Sequence, residues 1–413
     1  MSRSEILALP PDGRLLFLTR FIRLFSYGSL SVILVFYLTG LGLTEAQTGT
    51  LLTLILLGDT AVSLGLTTQA DHIGRRRMLI AGAILMAGAG ITFAFTRNFL
   101  LLVIAGTIGV ISPSGNEVGP FVSIEQAALS EVVPNRSRTE VFAWYTLAGS
   151  LATAAGSLAA GRLTQTLSAR SVTPIASERA IVILYGVFGL LLAILFSRLS
   201  PVAEVRRESG DPPAKGAVLG VGASRPLVIR LAGLFALDAF GGGFVIQSLA
   251  AYWFYIRFRV QPGVELGAIF FGANVLAGFS ALAASRLASR IGLVRTMVFT
   301  HLPSNILLIL IPLMPNVQLA TLVLLLRFSI SQMDVPTRQS YTMAIVRPEE
   351  RSAAAGITGV ARTTGAALAP VFVGFLFSRR ALVNLPFIIA GVLKIAYDLL
   401  LYRAFVRIRP PEE

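Results

Sequence analysis

The chain has 413 residues, 54% hydrophobic and only 14% charged, with a mean hydropathy of +0.75; that leaves too little polar surface to coat a soluble globule of this size. The formal net charge of +14 comes almost wholly from arginine, since Lys215 and Lys394 are the only lysines; these arginines fall between apolar runs, where they read as topology and lipid-headgroup signals rather than a nucleic-acid surface. Cysteine is absent, which excludes disulfides, thiolate catalysis and thiolate metal sites.

Apolar runs near or beyond the roughly 20 residues that cross a bilayer recur along the whole chain, and long, closely spaced spans favour a helical bundle over a barrel. Spans are predicted near 16–40, 47–70, 78–96, 99–132, 140–163, 179–198, 227–256, 265–288, 295–314, 317–346, 353–378 and 382–404. The first is not a cleavable signal, because polar residues through Arg23 precede it and no small-residue cleavage site follows. At its inner end Arg20 and Arg23 are read as snorkelling to headgroups, outside any solute site.

A charged side chain at membrane depth is a functional candidate by default. On the second span Asp59 stands twelve residues before Asp71, about 18 Å of helix rise and so near the bilayer middle. The fourth span is interrupted by Ser112-Pro113-Ser114-Gly115-Asn116-Glu117-Val118-Gly119-Pro120 and resumes through Glu125. Two prolines and two glycines there predict a kinked or unwound segment, the alternative being a shorter span with its polar part at the outer surface. Glu125 is the firmer candidate and Glu117 the weaker. Gly149, Gly156 and Gly161 on the fifth span suit close helix packing.

On the seventh span Asp238 opens the polar, flexible stretch Asp238-Ala239-Phe240-Gly241-Gly242-Gly243, while Tyr252, Trp253, Phe254 and Tyr255 look like an interfacial aromatic belt. The tenth span carries Arg327, Gln332, Asp334, Arg338 and Gln339, with Asp334 and Arg338 four apart and able to pair. The eleventh carries Arg362, leaving more buried positive than negative charge in this half, which suits an anionic solute. Lys394 and Asp398 on the twelfth span are again four apart and read as a structural pair.

The longest polar interval, holding Arg206, Arg207, Glu208, Asp211, Pro212, Pro213 and Lys215, divides the chain into residues 1–199, a linking loop 200–225, and residues 226–413. Alternating the loops puts most arginines on one face, so that both termini are expected in the cytoplasm. Ala70-Asp71-His72-Ile73-Gly74 and Ala288-Ser289-Arg290-Ile291-Gly292 correspond, as do Glu125-Gln126 and Gln339-Ser340, at nearly equal offsets. This is the mark of parallel repeats. Asn135-Arg136-Ser137 matches a glycosylation acceptor, but on the inner face, where it is accidental.

With six spans, a polar loop and six more, and with Ala70-Asp71-His72-Ile73-Gly74-Arg75-Arg76-Arg77 between spans two and three, the chain resembles the major facilitator superfamily over nearly its whole length. The resemblance implies an all-α polytopic membrane protein of 12 transmembrane helices in two pseudo-symmetric six-helix bundles. It also implies that Asp71, Gly74, Arg75 and Arg76 gate the conformational change, Asp71 meeting the eleventh span near Ser352. The antiporter glycine-proline pattern on span five is only partly present, since Ser157 stands where that pattern has proline.

A secondary transporter of a small organic solute by alternating access is therefore expected, as proton-coupled export in its most specific form. Proton-coupled or facilitated uptake of an organic anion is the alternative, and a non-transporting membrane receptor the alternative of another class. Solute and proton candidates are Asp59, Glu125, Asp238, Asp334, Arg338 and Arg362, because burial and neighbouring charge adjust a carboxylate's proton affinity. No enzyme signature, cofactor or metal site is expected: His72 and His301 are the only histidines, and no nucleotide-binding glycine loop with lysine appears. The expected partners are the solute, protons and membrane lipids, and the expected location is the plasma (bacterial inner) membrane.

Overall fold

The computed structural model describes residues 9–116, 121–133, 138–201, 222, 224–347, 350–406 and 408, apart from the side chains at 68, 69, 71, 72, 131, 138–140, 285 and 352. Most of the linking loop, with Glu117 and the Asn135 acceptor, lies outside the described residues. Among the described residues the regular structure is entirely helical.

The helices are α1 (Pro11–Gly40), α2 (Glu45–Ile73), α3 (Arg75–Phe95), α4 (Phe99–Ile108), α5 (Phe121–Val132), α6 (Arg138–Ala169), α7 (Pro174–Phe196) and α8 (Arg225–Gly243), followed by α9 (Gln247–Phe258), α10 (Val264–Ile291), α11 (Leu293–Leu310), α12 (Val317–Ser331), α13 (Asp334–Ile345), α14 (Arg351–Phe377) and α15 (Leu385–Phe405). They fall on the twelve predicted spans. Spans four, seven and ten are each broken into two helices, α4 and α5, α8 and α9, and α12 and α13. Among the described residues ten helical segments are long and apolar enough to cross a bilayer, and Phe95, Leu100, Ile194 and Leu399 point large apolar side chains outward. An apolar exterior of this kind is suited to lipid.

Local chemistry sets the boundaries. Thr44 and Gln47 form a reciprocal capping box at the start of α2, and Asn98 and Asn316 accept backbone N–H groups at the starts of α4 and α12. Gly74, between α2 and α3, has φ of 116°, and Gly292, between α10 and α11, has φ of 85°. The two matched loop motifs thus turn on a left-handed glycine at the same place.

The chain packs as two compact units, one within Met1–Arg207 and Ile246–Val275, the other within Glu208–Val245 and Leu276–Glu413. The first unit takes α9 and the start of α10 along with the N-terminal helices. Gln247 Nε2 donates to Ser31 Oγ at 2.8 Å and Ser157 Oγ at 3.1 Å, Asn274 Nδ2 donates to Gln247 Oε1 at 2.9 Å, and Gly161 packs on the backbone of Gly263 and Gly267. Inside this unit α1 crosses α6 so closely that a Cβ on Gly28 would strike the Thr153 carbonyl and one on Gly156 the Phe25 carbonyl. The small residues of span five are consumed by this packing.

The described part of the break in span four is largely buried, although Asn116 is exposed. Ser112 is fully enclosed, and the freed carbonyls find donors: Pro113 O accepts from Ser248 N at 3.1 Å and Gly115 O from Thr153 Oγ1 at 3.2 Å. Backbone polar groups at membrane depth are tolerated only when satisfied in this way. The aromatic run of span seven is a correction. Trp253 and Phe254 are completely buried and Tyr252 nearly so; α9 packs inside the unit, so these rings serve as core rather than interfacial anchors.

Candidate functional site

The second unit concentrates ionisable side chains from four spans in one place. Asp238 projects from α8 just before its glycine-rich end. Asp334 is the first residue of α13, where the break in span ten restarts the helix, and Arg338 follows one turn later on the same face. His301 comes from α11, two residues before the internal Pro303, and Lys394 and Asp398 from α15. All six are buried.

Asp238 is the hub. Its Oδ1 accepts from Lys394 Nζ at 2.6 Å and its Oδ2 from Arg338 NH1 at 3.0 Å. Arg338 NH1 also lies 3.2 Å from Asp334 Oδ2, the ion pair that the spacing predicts. His301 bridges two carboxylates: Nδ1 is 2.8 Å from Asp398 Oδ1 and Nε2 is 3.7 Å from Asp238 Oδ1. Asn305 Nδ2 donates to the other Asp398 oxygen at 2.9 Å, and the Tyr397 ring meets the imidazole edge-on at 5.9 Å. Ions taken out of water cost several kilocalories per mole each unless paired, and here each carboxylate has a donor beside it. Ligand atoms of Asp238, His301 and Asp334 lie within 4.8 Å of one another, but Lys394 and Arg338 already neutralise Asp238, so the grouping is a salt-bridge centre rather than a cation site.

Two readings change here. Lys394 and Asp398 are not a mutual pair: they diverge to Asp238 and His301 respectively. His301, which the sequence offered only as a missing metal ligand, stands at the centre. Rating every ionisable residue at membrane depth alike would have found both it and Lys394, since Thr300-His301 and Ser304-Asn305 form a polar patch within an apolar span.

The first unit holds a second centre. Arg23 NH1 and NH2 donate to Glu125 Oε1 and Oε2 at 2.6 and 2.7 Å, Thr19 Oγ1 donates to Oε1 at 3.2 Å, and Tyr145 OH donates to Oε2. The Arg23 guanidinium covers the Phe121 ring at 4.6 Å and that of Arg20 covers Tyr145 at 4.2 Å. The snorkelling reading of Arg20 and Arg23 is therefore corrected: Arg23 is 0% exposed. Judged on α1 alone it sits near a helix end, but its partner is supplied by α5.

Of the remaining candidates, Asp59 is buried on α2, and both it and Arg23 lie within electrostatic reach of Tyr185. Arg362 is half-buried on α14, within electrostatic reach of Asp238, Asp334 and Arg338. At the start of α3, Arg75 is buried and Arg76 NH1 donates to Leu199 O at 3.3 Å. The side chain of Asp71 lies outside the described residues.

The Major Facilitator Superfamily model matches residues 16–370. An uncharacterized membrane protein of Saccharomyces cerevisiae is 31% identical over 423 residues, covering 96% of this chain and 94% of its own. Among solved structures, a bacterial homolog of the human lysosomal transporter Spinster, in an inward-facing and occupied conformation, matches with TM-score 0.73 at 16% identity, over 96% of this chain and 97% of its own. The nucleoside transporter NupG matches with TM-score 0.70 at 12% identity, over 96% and 99%. The human organic anion transporter MFSD10 matches with TM-score 0.61 at 16% identity, over 95% and 100%. These structural likenesses concern the fold. The chain belongs to the Major Facilitator Superfamily, and it is an integral membrane transporter of a small-molecule solute, not an enzyme.

Proposed function

We propose that the protein is a proton-coupled secondary transporter of a small organic solute, acting by alternating access, and that the centre formed by Asp238, Lys394, Arg338, His301 and Asp398 is where the proton acts. The observation that carries this reading is the imidazole of His301, buried between two carboxylates, with one of them shared by a lysine and an arginine. An imidazole set among fixed charges alters their pairing whenever it gains or loses a proton. Glu125, locked between Arg23 and Tyr145, supports a separate role in holding α1, α5 and α6 together.

Export by proton antiport and uptake of an organic anion with protons are both compatible with such a centre. The α6 glycines, accounted for by packing on α1 and on the backbone of Gly263 and Gly267, carry no argument for antiport; the buried cationic excess around Asp238 favours the anion. The arginine bias supports cytoplasmic termini in a plasma membrane. Asp71, Gly74, Arg75 and Arg76 are proposed as the gating turn, supported by the left-handed Gly74 and the buried Arg75.

The test is flux in proteoliposomes. A panel of organic anions, cations and neutral compounds is offered with and without an imposed pH gradient. The reading expects one class to move against its own gradient while the pH gradient lasts; movement that ignores the pH gradient removes proton coupling.

A further inference from the structure

The Asp238 centre carries more positive than negative charge. Its acids are Asp238, Asp334 and Asp398. Its permanent cations are Arg338 and Lys394, joined by Arg327 and Arg362, which lie within electrostatic reach of Asp238 and Asp334. Among the described residues, four cations thus face three carboxylates before any proton reaches His301. Arg338 and Lys394 are engaged with the aspartates, whereas the buried Nε atoms of Arg327 and Arg362 have no hydrogen-bond partner among the described residues. A guanidinium N–H shielded from water without an acceptor is costly, and an anionic oxygen is its complement.

The imidazole orientation adds the proton. Asp398 Oδ1, an acceptor 2.8 Å from Nδ1, fixes the neutral ring's proton on Nδ1, where it donates to the carboxylate, while the Asn305 amide donates to the other Asp398 oxygen. Nε2 then carries the lone pair and faces Asp238 Oδ1, the oxygen held by Lys394 Nζ. A proton on Nε2 makes a second cationic donor to that one oxygen and loosens its hold on the ammonium. The other groups around His301 cannot replace this balance: Arg338 is shared between Asp238 and Asp334, and Tyr397 offers a ring edge-on.

Resting on the coupling role given to this centre, the geometry points to a solute bearing an anionic group that is bound by Arg362, in the field of Arg327, and matched by Lys394 when His301 Nε2 takes up a proton. Anion and proton then bind together, each raising the affinity for the other by the same factor, and they cross in the same direction.

Calorimetric titration of the full-length protein in detergent tests this with benzoate, succinate, citrate and glucose 6-phosphate, using tetraphenylphosphonium as the cation. Repeating each titration in buffers of different ionisation heat counts the protons taken up. An anion should bind with uptake approaching one proton and tighten by up to about tenfold per unit fall in pH. His301→Gln should keep binding but lose the proton uptake and the pH dependence. Arg362→Gln should weaken the anion at least about tenfold at every pH, with partial recovery in Arg362→Lys; melting curves confirm that each variant is folded.

Binding of tetraphenylphosphonium with none of the anions overturns the inference, as does proton release on anion binding or uptake unchanged in His301→Gln. Gradient-driven flux of a cation or neutral solute would also overturn it while leaving proton coupling intact. Conversely, anion binding with proton uptake, but with no response of flux to a pH gradient, removes the coupling role and leaves the anion site standing.

Discussion

Arg23 of α1 grips Glu125 of α5 through both terminal nitrogens, and the same pairing recurs with its signs reversed as Asp238 of α8 and Arg338 of α13. Arg23 and Asp238 are 215 positions apart and Glu125 and Arg338 are 213, close to the offset of 214 that relates Glu125 to Gln339. Each half of the chain thus ties its first span to its fourth by a buried ion pair. In the first half the pair is closed, with Tyr145 and Thr19 on the same carboxylate. In the second the carboxylate is shared with Lys394 and neighbours a histidine, so only that one is open to rearrangement.

The closed pair makes a stability prediction. Glu125→Ala strands Arg23 without its counter-ion and should cost about 3–5 kcal/mol, whereas replacing both partners by apolar residues, Arg23→Met with Glu125→Leu, should recover most of the loss. Melting of the purified variants in detergent reads this. Equal destabilisation in the single and double variants would show that the pair is not the source.

At the Asp238 hub the coupling between side chains is measurable as a double-mutant cycle. Asp238→Asn and Lys394→Met should each destabilise the protein, and the pair should lose less than the sum, with an interaction of roughly 0.5–3 kcal/mol. Strict additivity would mean that the 2.6 Å contact between Lys394 and Asp238 contributes nothing.

The α1–α6 crossing predicts a steric effect. Gly156→Val places a branched side chain against the Phe25 carbonyl, and the backbones must separate at a cost of about 1–3 kcal/mol. Gly65→Ala, where an added Cβ meets open space, is the matched control and should melt like the parent.

Gly74 predicts a backbone effect. With φ at 116°, Gly74→Ala forces a side chain into a conformation that costs of order 1–3 kcal/mol. Gly292→Ala, at φ 85°, should behave alike, and a melting scan of the two variants checks the repeat. A cost at one position and none at the other would contradict it.

The fold was legible because hydropathy and turn chemistry are local. Runs of apolar residues fix the spans, and the Asn, Pro and Gly punctuation fixes their ends, including the break in span four. Asp334 and Arg338 were also legible, being four apart on one helix. What was not legible is pairing across helices. Lys394 and Asp398 have the same spacing as Asp334 and Arg338, yet they diverge, because Asp238 and His301 lie on other spans at the same depth. Arg23 looked like a headgroup contact for the same reason, its partner Glu125 being 102 residues away. The turn between α2 and α3 was legible in its backbone, through Gly74, while the side chain of Asp71 lies outside the described residues.

The most direct measurement compares gradient-driven transport with exchange in proteoliposomes holding the parent protein, Asp238→Asn or His301→Gln, using the solute found in the panel and a trapped pH dye. If the Asp238 centre couples the proton, the parent moves solute and protons together, and both variants lose gradient-driven accumulation while still exchanging solute at equal pH. If either variant accumulates solute on a pH gradient as the parent does, the centre is structural and the coupling site lies elsewhere.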